Sequence, residues 1–365
     1  MDRVYNFSSG PAMLPESVLQ RAQSEFMNYD GCGVSVMELG SDTPEFLGII
    51  RKAEENLRSL MNIPGNYKIL FLQGGSSMQF SAIPMNLLSD HKCADYVVSG
   101  QHSKSAYIEA KKHGDIVIAA SSAGATPAFS TVPRLERSDF RPDADYVHIC
   151  YDNPIYGTTF PEIPDTGAIP LVADMSSYLL SQPIDINKFA LIYASAHQCI
   201  GIAGMTIVIV RDDIIGSPLP GTPGVLDYKF LASNDIKYDT PPIWSIYIAN
   251  LVFEWIQSIG GLVEIKRRNE RKASLLYDYL DDQVYYTAPV DKKCRSMVNV
   301  IFLTGSAELD RKFIAEAKEE GLLNLAGDNS TGGIRASIYN GMPYDGALKL
   351  RTFMRKFADE NPKLI

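Results

Sequence analysis

The 365-residue chain is 45% hydrophobic and 21% charged, an ordinary balance for a globular protein with one large and one small domain. A formal net charge of -9 with no basic tract excludes a polyanion-binding surface, so no nucleic-acid partner is expected. No apolar run reaches the roughly 18 residues of a membrane span, and the start Met1-Asp2-Arg3-Val4-Tyr5 lacks the apolar core of a signal peptide; a cytoplasmic location without a membrane partner is expected.

Along the chain, an extended segment ends in the turn Ser8-Ser9-Gly10-Pro11, and helical spacing runs from about Pro15 to Tyr29. After the Gly31-Cys32-Gly33 break, Val34 to Met37 reads as extended and Phe46 to Met61 as an amphipathic helix. Strands and helices then alternate. Strands are expected at Lys68–Leu72, Asp95–Val98, Ile116–Ala119, Tyr146–Ile149, Leu171–Asp174, Leu191–Ala194 and Thr206–Val210, with helices at Met78–Leu88 and Ser103–His113. This order implies an α/β fold whose large domain holds a mostly parallel seven-stranded sheet covered by helices. Gly216 to Pro242 reads as a long excursion, followed by helices at Trp244–Ile259 and Leu262–Leu280. A smaller C-terminal α/β domain follows, with strands at Val298–Phe302 and Gly333–Ser337 and helices at Ala307–Glu320 and Asp345–Phe357. The expected division is a segment 1–15 associated with the small domain, a large domain 16–265 and a small domain 266–365.

Five cysteines (Cys32, Cys93, Cys150, Cys199, Cys294) form no Cys-x-x-Cys pair, and five histidines show no metal-ligand spacing, so no metal is expected. The strand-turn-helix at Leu72-Gln73-Gly74-Gly75-Ser76-Ser77 suits an anion, because glycines admit close backbone approach and a helix N-terminus offers free N–H groups. The same glycines would equally serve packing alone. Asp174 closes a buried strand on the side where open α/β sheets bind ligands. There it either neutralises a cationic ring nitrogen or braces a loop.

Several phrases resemble the phosphoserine aminotransferase family: Phe7-Ser8-Ser9-Gly10-Pro11-Ala12-Met13-Leu14-Pro15, Gly33-Val34-Ser35-Val36-Met37-Glu38, Ile83-Pro84-Met85-Asn86-Leu87-Leu88, Ala173-Asp174-Met175-Ser176-Ser177, Thr240-Pro241-Pro242 and Arg335-Ala336-Ser337-Ile338-Tyr339-Asn340. The resemblance implies the fold-type-I architecture of pyridoxal-phosphate enzymes and a homodimer with sites at the subunit interface. It also implies amino transfer between glutamate and 3-phosphohydroxypyruvate, in serine biosynthesis. The family's lysine lies in a phrase like Tyr-Ala-Gly-Ala-Gln-Lys-Asn-Ile-Gly. Here the phrase is Tyr193-Ala194-Ser195-Ala196-His197-Gln198-Cys199-Ile200-Gly201, so Gln198 stands in the lysine's place. A carboxamide can neither form the internal Schiff base nor shuttle the proton. His197, next door, is the candidate substitute base.

The resemblance places the cofactor at Gly75, Ser76, Ser77, His102, Asn153, Pro154, Asp174, His197, Asp239 and Thr240. Of these, His102 replaces a ring-stacking Trp, Pro154 a hydrogen-bonding Thr, and Asp239 an Asn that reaches the cofactor phosphate from the partner subunit. The substrate phosphate is held in the family by two His-Arg pairs. Their positions carry Ser41-Asp42 and Asp328-Asn329, while Arg335, the clamp for the substrate carboxylate, is retained. Arginine forks bind phosphate by bidentate charge-assisted bonds. An acid in their place repels a like charge about 5 Å away by roughly 3 kcal/mol at an effective dielectric near 20.

Three functions are compatible with these residues. The first is a non-catalytic homologue, homodimeric or paired with an active paralogue, that has lost lysine-dependent transamination. The second is a lysine-independent enzyme using a histidine base with pyridoxal or pyridoxamine phosphate held non-covalently. The third is residual phosphoserine aminotransferase activity. A small-molecule ligand is expected in each.

Overall fold

The computed structural model describes residues 3–88, 91–234 and 240–363. Helix α1 (Glu16–Glu25) is shorter than its spacing suggested. Beyond it Asp30 and Gly31 take left-handed backbone angles (φ 48° and 77°), and the Asn28 side chain accepts a hydrogen bond from Gly33 N–H, so the chain turns instead of continuing the helix. The stretch expected to be extended from Val34 to Met37 instead enters a short 3-10 turn, Val36–Glu38. A reciprocal cap sets it: Ser35 Oγ accepts from Met37 N–H, and Glu38 Oε2 accepts from Ser35 N–H. Helix α2 (Pro44–Met61) starts on the Thr43 hydroxyl with Pro44 in its first turn and stops at left-handed Asn62. Its buried stripe is Phe46, Ile49, Ala53, Leu57 and Met61.

The alternation then holds: β1 (Tyr67–Gln73), α3 (Gln79–Leu87), β2 (Cys93–Val98), α4 (Gln101–Ala110), β3 (Asp115–Ser121), β4 (Tyr146–Cys150), β5 (Leu171–Asp174), β6 (Leu191–Ser195) and β7 (Met205–Arg211). These strands form one sheet in the order β1-β7-β6-β5-β4-β2-β3. All run parallel except β7, which is antiparallel to both β1 and β6. The expected mostly parallel seven-stranded sheet is therefore present. Apolar cores cover both faces, one built on α2 and the other on α3 and α4.

The expected excursion after Gly216 contains a short helix, α5 (Tyr228–Asn234). Helices α6 (Ile243–Ser258) and α7 (Gly261–Asp282) follow. Among the described residues no single helix is long and apolar enough to cross a membrane. Helix α7 gives Leu262 and Ile265 to a core on the large sheet, and Ala273, Leu276, Tyr277 and Leu280 to a third core at the C-terminal end. That third core gathers β8 (Asn299–Phe302), α8 (Ala307–Glu319), β9 (Ile334–Ser337) and α9 (Tyr344–Glu360), with β8 and β9 antiparallel. Phe7 is buried in it, and Tyr5–Asn6 pairs parallel with Leu322–Leu323, so the N-terminal segment is built into the C-terminal layer. Lys272 of α7 ties the two parts: its buried ammonium donates to the carbonyls of Ile338, Tyr339 and Met342 at 2.7, 2.7 and 3.0 Å. Burial pushes its pKa down to about 7, while the three carbonyl acceptors favour the charged form.

Candidate cofactor site

The parallel strands end together, and their C-terminal ends carry the polar residues. Asp174, the last residue of β5, is 4% exposed, and its Oδ1 accepts from Ser176 N–H at 2.9 Å and Ser176 Oγ–H at 2.6 Å. The strand after it, β6, leads directly into the loop holding His197 and Gln198. The Ser195 hydroxyl lies 2.8 Å from His197 Nδ1. Burial lowers the His197 pKa most, neighbouring His102 lowers it further, and Asp174 raises it. His197 thus lies within electrostatic reach of both His102 and Asp174.

The Gln198 side chain is buried and engaged. Its amide donates to the Ser9 carbonyl at 2.7 Å and to the Tyr339 hydroxyl at 2.9 Å, and Tyr339 itself donates to Ser9 O at 3.2 Å. One side chain therefore joins the N-terminal segment, the large-sheet loop and the C-terminal part. The N-terminal segment also lies on His197. Ala12 N–H donates to the His197 carbonyl, and a Cβ on Gly10 would stand 2.1 Å from His197 Cδ2 and 2.6 Å from Nε2. Gly10, with φ 153°, is thus required by contact and by backbone angle. We expect Gly10→Ala to destabilise the fold by about 1–3 kcal/mol, through overpacking and backbone strain. A denaturant melt indistinguishable from that of the unmodified chain would show that the segment is free to lift.

The Gly74–Ser77 turn sits where β1 passes into α3. Gly74 (φ 94°) is pinned by bonds to Gly204 O and from the Thr206 hydroxyl, whereas a Cβ on Gly75 would meet nothing within 4 Å. Neither the Ser76 nor the Ser77 hydroxyl has a hydrogen-bond partner among the described residues. The cup therefore presents free donors on its open side, as an anion site requires. His102 lies in the first turn of α4, exposed, after a turn held by Ser103 Oγ. Asn153 is buried; its amide nitrogen reaches the hydroxyls of Ser99 and Thr158, and its Oδ1 has no partner. Pro154 is buried in the tight turn of the hairpin Asp152–Asn153/Thr158–Thr159, where Tyr156 and Gly157 N–H close onto Asn153 O. A fixed proline φ suits that position.

Arg335 on β9 is half-buried, and its Nε is buried with no partner. Asp328 lies near it. Hydrogen bonds from Ser330 hold the Asp328 pKa below the usual carboxylate range, with burial opposing them and the Arg335 charge assisting. Asp328 in turn acts on Tyr156, and His102 acts on Asp328, so His102, His197, Asp174, Asp328, Arg335 and Tyr156 share one electrostatic neighbourhood. The other sequence-derived positions stand apart. Ser41 and Asp42 lie in the turn before α2, and Asn329 is exposed; among the described residues no side-chain hydrogen bond or ion pair joins these three to that neighbourhood. The Thr240 carbonyl accepts from Gln73 Nε2 at the edge of the sheet. Asp239 lies outside the described residues. A groove of about 650 Å³ beside edge strand β1 is lined by Leu47, Ile50, Phe71, Met78, Val225 and Thr240. It contains none of the converging polar residues and is not this site.

Sequence reasoning passed over Ser9 and Tyr339, the partners of Gln198, and over Asp152. The Asp152 Oδ2 accepts from Ser177 Oγ (2.7 Å) and Asn299 Nδ2 (3.0 Å). Burial pushes the Asp152 pKa up to about 6. An acid directly before Asn153 in a run of buried residues was its only sequence signal.

The family model for aminotransferase class-V matches residues 4–349. The phosphoserine aminotransferase of Laribacter hongkongensis is 48% identical over 97% of this chain and 98% of its own length. That of Listeria monocytogenes serovar 1/2a is 47% identical, covering 98% of each. Among solved structures, a phosphoserine aminotransferase from Bacillus circulans subsp. alkalophilus superposes with a TM-score of 0.95 at 40% identity, covering 99% of each chain. A pyridoxal-phosphate-bound phosphoserine aminotransferase from Trichomonas vaginalis has a TM-score of 0.90 at 36% identity, covering 97% of this chain and all of its own.

Proposed function

Since the chain belongs to the class-V aminotransferase family, we propose that it keeps that family's cofactor site and has lost the lysine-dependent chemistry performed there. Pyridoxal phosphate is the family's cofactor. The residues present fit it: an open Gly75–Ser77 cup with two hydroxyls unpartnered among the described residues for a phosphate, and a buried carboxylate at Asp174 for a ring nitrogen. When bound, the cofactor supplies an electron sink for amino transfer. The protein would hold it by those groups alone, without a covalent bond. The observation that carries this reading is Gln198, whose amide is committed to Ser9 and Tyr339 and has no basic lone pair to offer.

Arg335, whose buried Nε has no hydrogen-bond partner among the described residues, would still receive a carboxylate. Asp328 beside it would disfavour the phosphate of 3-phosphohydroxypyruvate, so a ligand with a neutral or cationic far end is the better match. Ser41 and Asp42 would act on the partner's site in a homodimer. The apolar groove at β1 supports that assembly: β1 is an edge strand, and the exposed side chains of Leu47, Met78 and Val225 line the groove. The same surface could receive an active paralogue. The five cysteines are unpaired thiols, in keeping with a reducing cytoplasm.

One observation favours a second reading, lysine-independent catalysis by a histidine: His197 lies within electrostatic reach of both His102 and Asp174. Since Gly10 covers the Nε2 edge of His197, the exposed His102 is the better placed base.

The test is the absorbance of the purified protein, before and after adding pyridoxal phosphate and after gel filtration. We expect no visible band of a covalently linked cofactor, and retention of pyridoxamine phosphate by equilibrium dialysis. A covalent band on Gln198-containing protein would overturn the reading, as would failure to bind either cofactor form.

A further inference from the structure

Behind Asp174 lies a set of buried polar side chains with no role in the reading above. On parallel strands β5 and β6, Asp174 and Tyr193 are direct cross-strand partners. The Tyr193 hydroxyl lies 2.9 Å from His148 Nε2, on β4, the next strand beyond β5. His148 is held flat: the Tyr96 ring stacks on it at 4.6 Å with planes 14° apart, and Tyr96 Oη is 2.8 Å from Tyr146 Oη. Tyr96, Tyr146, His148 and Tyr193 are all 1% exposed or less.

The protons in this set are constrained. Burial pushes the His148 pKa down to about 3, so the imidazole is neutral and carries one hydrogen. His148 Nδ1 is buried without a partner among the described residues, so a proton there would be an unsatisfied buried donor. Placing the proton on Nε2 gives it an acceptor, the Tyr193 oxygen, and frees the Tyr193 hydrogen for another acceptor. Asp174 is the anionic acceptor beside it: burial first and the Asp174 charge next keep the Tyr193 hydroxyl protonated, with hydrogen bonding to Asp174 adding to both.

The geometry points to a directed relay in which His148 Nε2–H donates to Tyr193 and Tyr193 donates to Asp174, making both of them positioning residues that aim Asp174 at the ring nitrogen of a bound pyridine. Ser176 already holds Oδ1 from the loop side. In this arrangement Tyr193, the cross-strand neighbour of Asp174, adds a donor from within the sheet to the Ser176 bonds from the loop side. His148 and Tyr193 touch no ligand; they act through Asp174. The relay's orientation stands on the protein alone, whereas its effect on a ligand rests on the cofactor reading proposed above.

The test has two arms. In the first, ¹⁵N-histidine NMR of the unmodified chain should show His148 as the Nε2–H tautomer, with no titration across the range where free histidine titrates; an Nδ1–H tautomer overturns the relay. In the second, Tyr193→Phe is compared with the unmodified chain for binding of pyridoxamine phosphate and of its analogue with carbon in place of the ring nitrogen. Removing a hydrogen bond to a charged group should weaken pyridoxamine phosphate about tenfold and leave the analogue unchanged. Equal weakening of both, or of neither, overturns the positioning role. If the unmodified chain binds neither compound, the cofactor reading fails, and the tautomer alone decides the relay. Should Tyr193→Phe not fold, the first arm decides in the same way.

Discussion

Restoring a lysine with Gln198→Lys should leave amino transfer from glutamate to 3-phosphohydroxypyruvate about 10³–10⁴-fold below that of a phosphoserine aminotransferase with an intact site. The reason lies away from the lysine. Two arginine forks onto a phosphate are worth roughly 2–3 kcal/mol each, or some 5 kcal/mol together. In our reading those positions hold Asp42 and Asn329, with Asp328 adding a second carboxylate near Arg335. The lysine itself is sterically acceptable, because its ammonium could donate to Ser9 O and Tyr339 Oη as the amide does. Two readouts therefore separate. Added pyridoxal phosphate should give the variant the visible band of a covalent linkage, while the amino-transfer assay stays at background. Activity within tenfold of an intact relative would show that the acids do not govern substrate choice and that Gln198 alone disables the chain.

Asp152→Asn should stabilise the protein above about pH 6 and change little near pH 4. In the fold the Asp152 pKa is pushed from 3.8 to about 6 by burial, against the hydrogen bonds that favour its charged form. A carboxyl whose folded value is raised binds its proton more tightly in the folded state. Its contribution to stability is therefore full below about 3.8 and is lost as the pH climbs through about 6. The difference of about 2 units corresponds to about 3 kcal/mol. Asparagine is neutral throughout and can still accept from Asn299, so it avoids that loss. Thermal melts near pH 4 and pH 8 read the effect directly: the two proteins should coincide at the lower pH and separate by several degrees at the higher one. A constant offset at both pH values would show that packing, not charge, distinguishes the side chains.

The parts of the fold legible in the sequence were those written locally. Alternating buried strands and amphipathic helices gave the sheet, and the glycine-serine turn after Leu72 gave the cup. The Ser35-x-x-Glu38 cap was written locally too, yet the residues around it were read as extended, because alternating apolar side chains over four positions look like a strand. Helix α1 was read too long for a similar reason: apolar spacing continues through Phe26 and Tyr29, but Asp30 and Gly31 leave the helical region. The residues proposed for the site could be named from the sequence, but their contacts could not. Nothing near Gln198 announces that its amide ends on Ser9, 189 residues away, or on Tyr339, 141 residues away. Nor does the sequence show that Gly10 covers the edge of His197. Such relations arise only when distant segments pack.

The pairing of Tyr5–Asn6 with Leu322–Leu323 also sets a timetable for biosynthesis. Tyr5, Asn6 and Ser9 are synthesised more than 300 residues ahead of Leu322–Leu323 and of the Tyr339 hydroxyl that meets Ser9. At about 5–20 residues per second, these residues wait tens of seconds without their partners. During that interval the sheet can form, while the loop at Gln198 lacks its cover. The cover over the Gln198 loop is thus completed only when residues 322–339 have been made, and a nascent protein stalled before them would carry the sheet with that loop open.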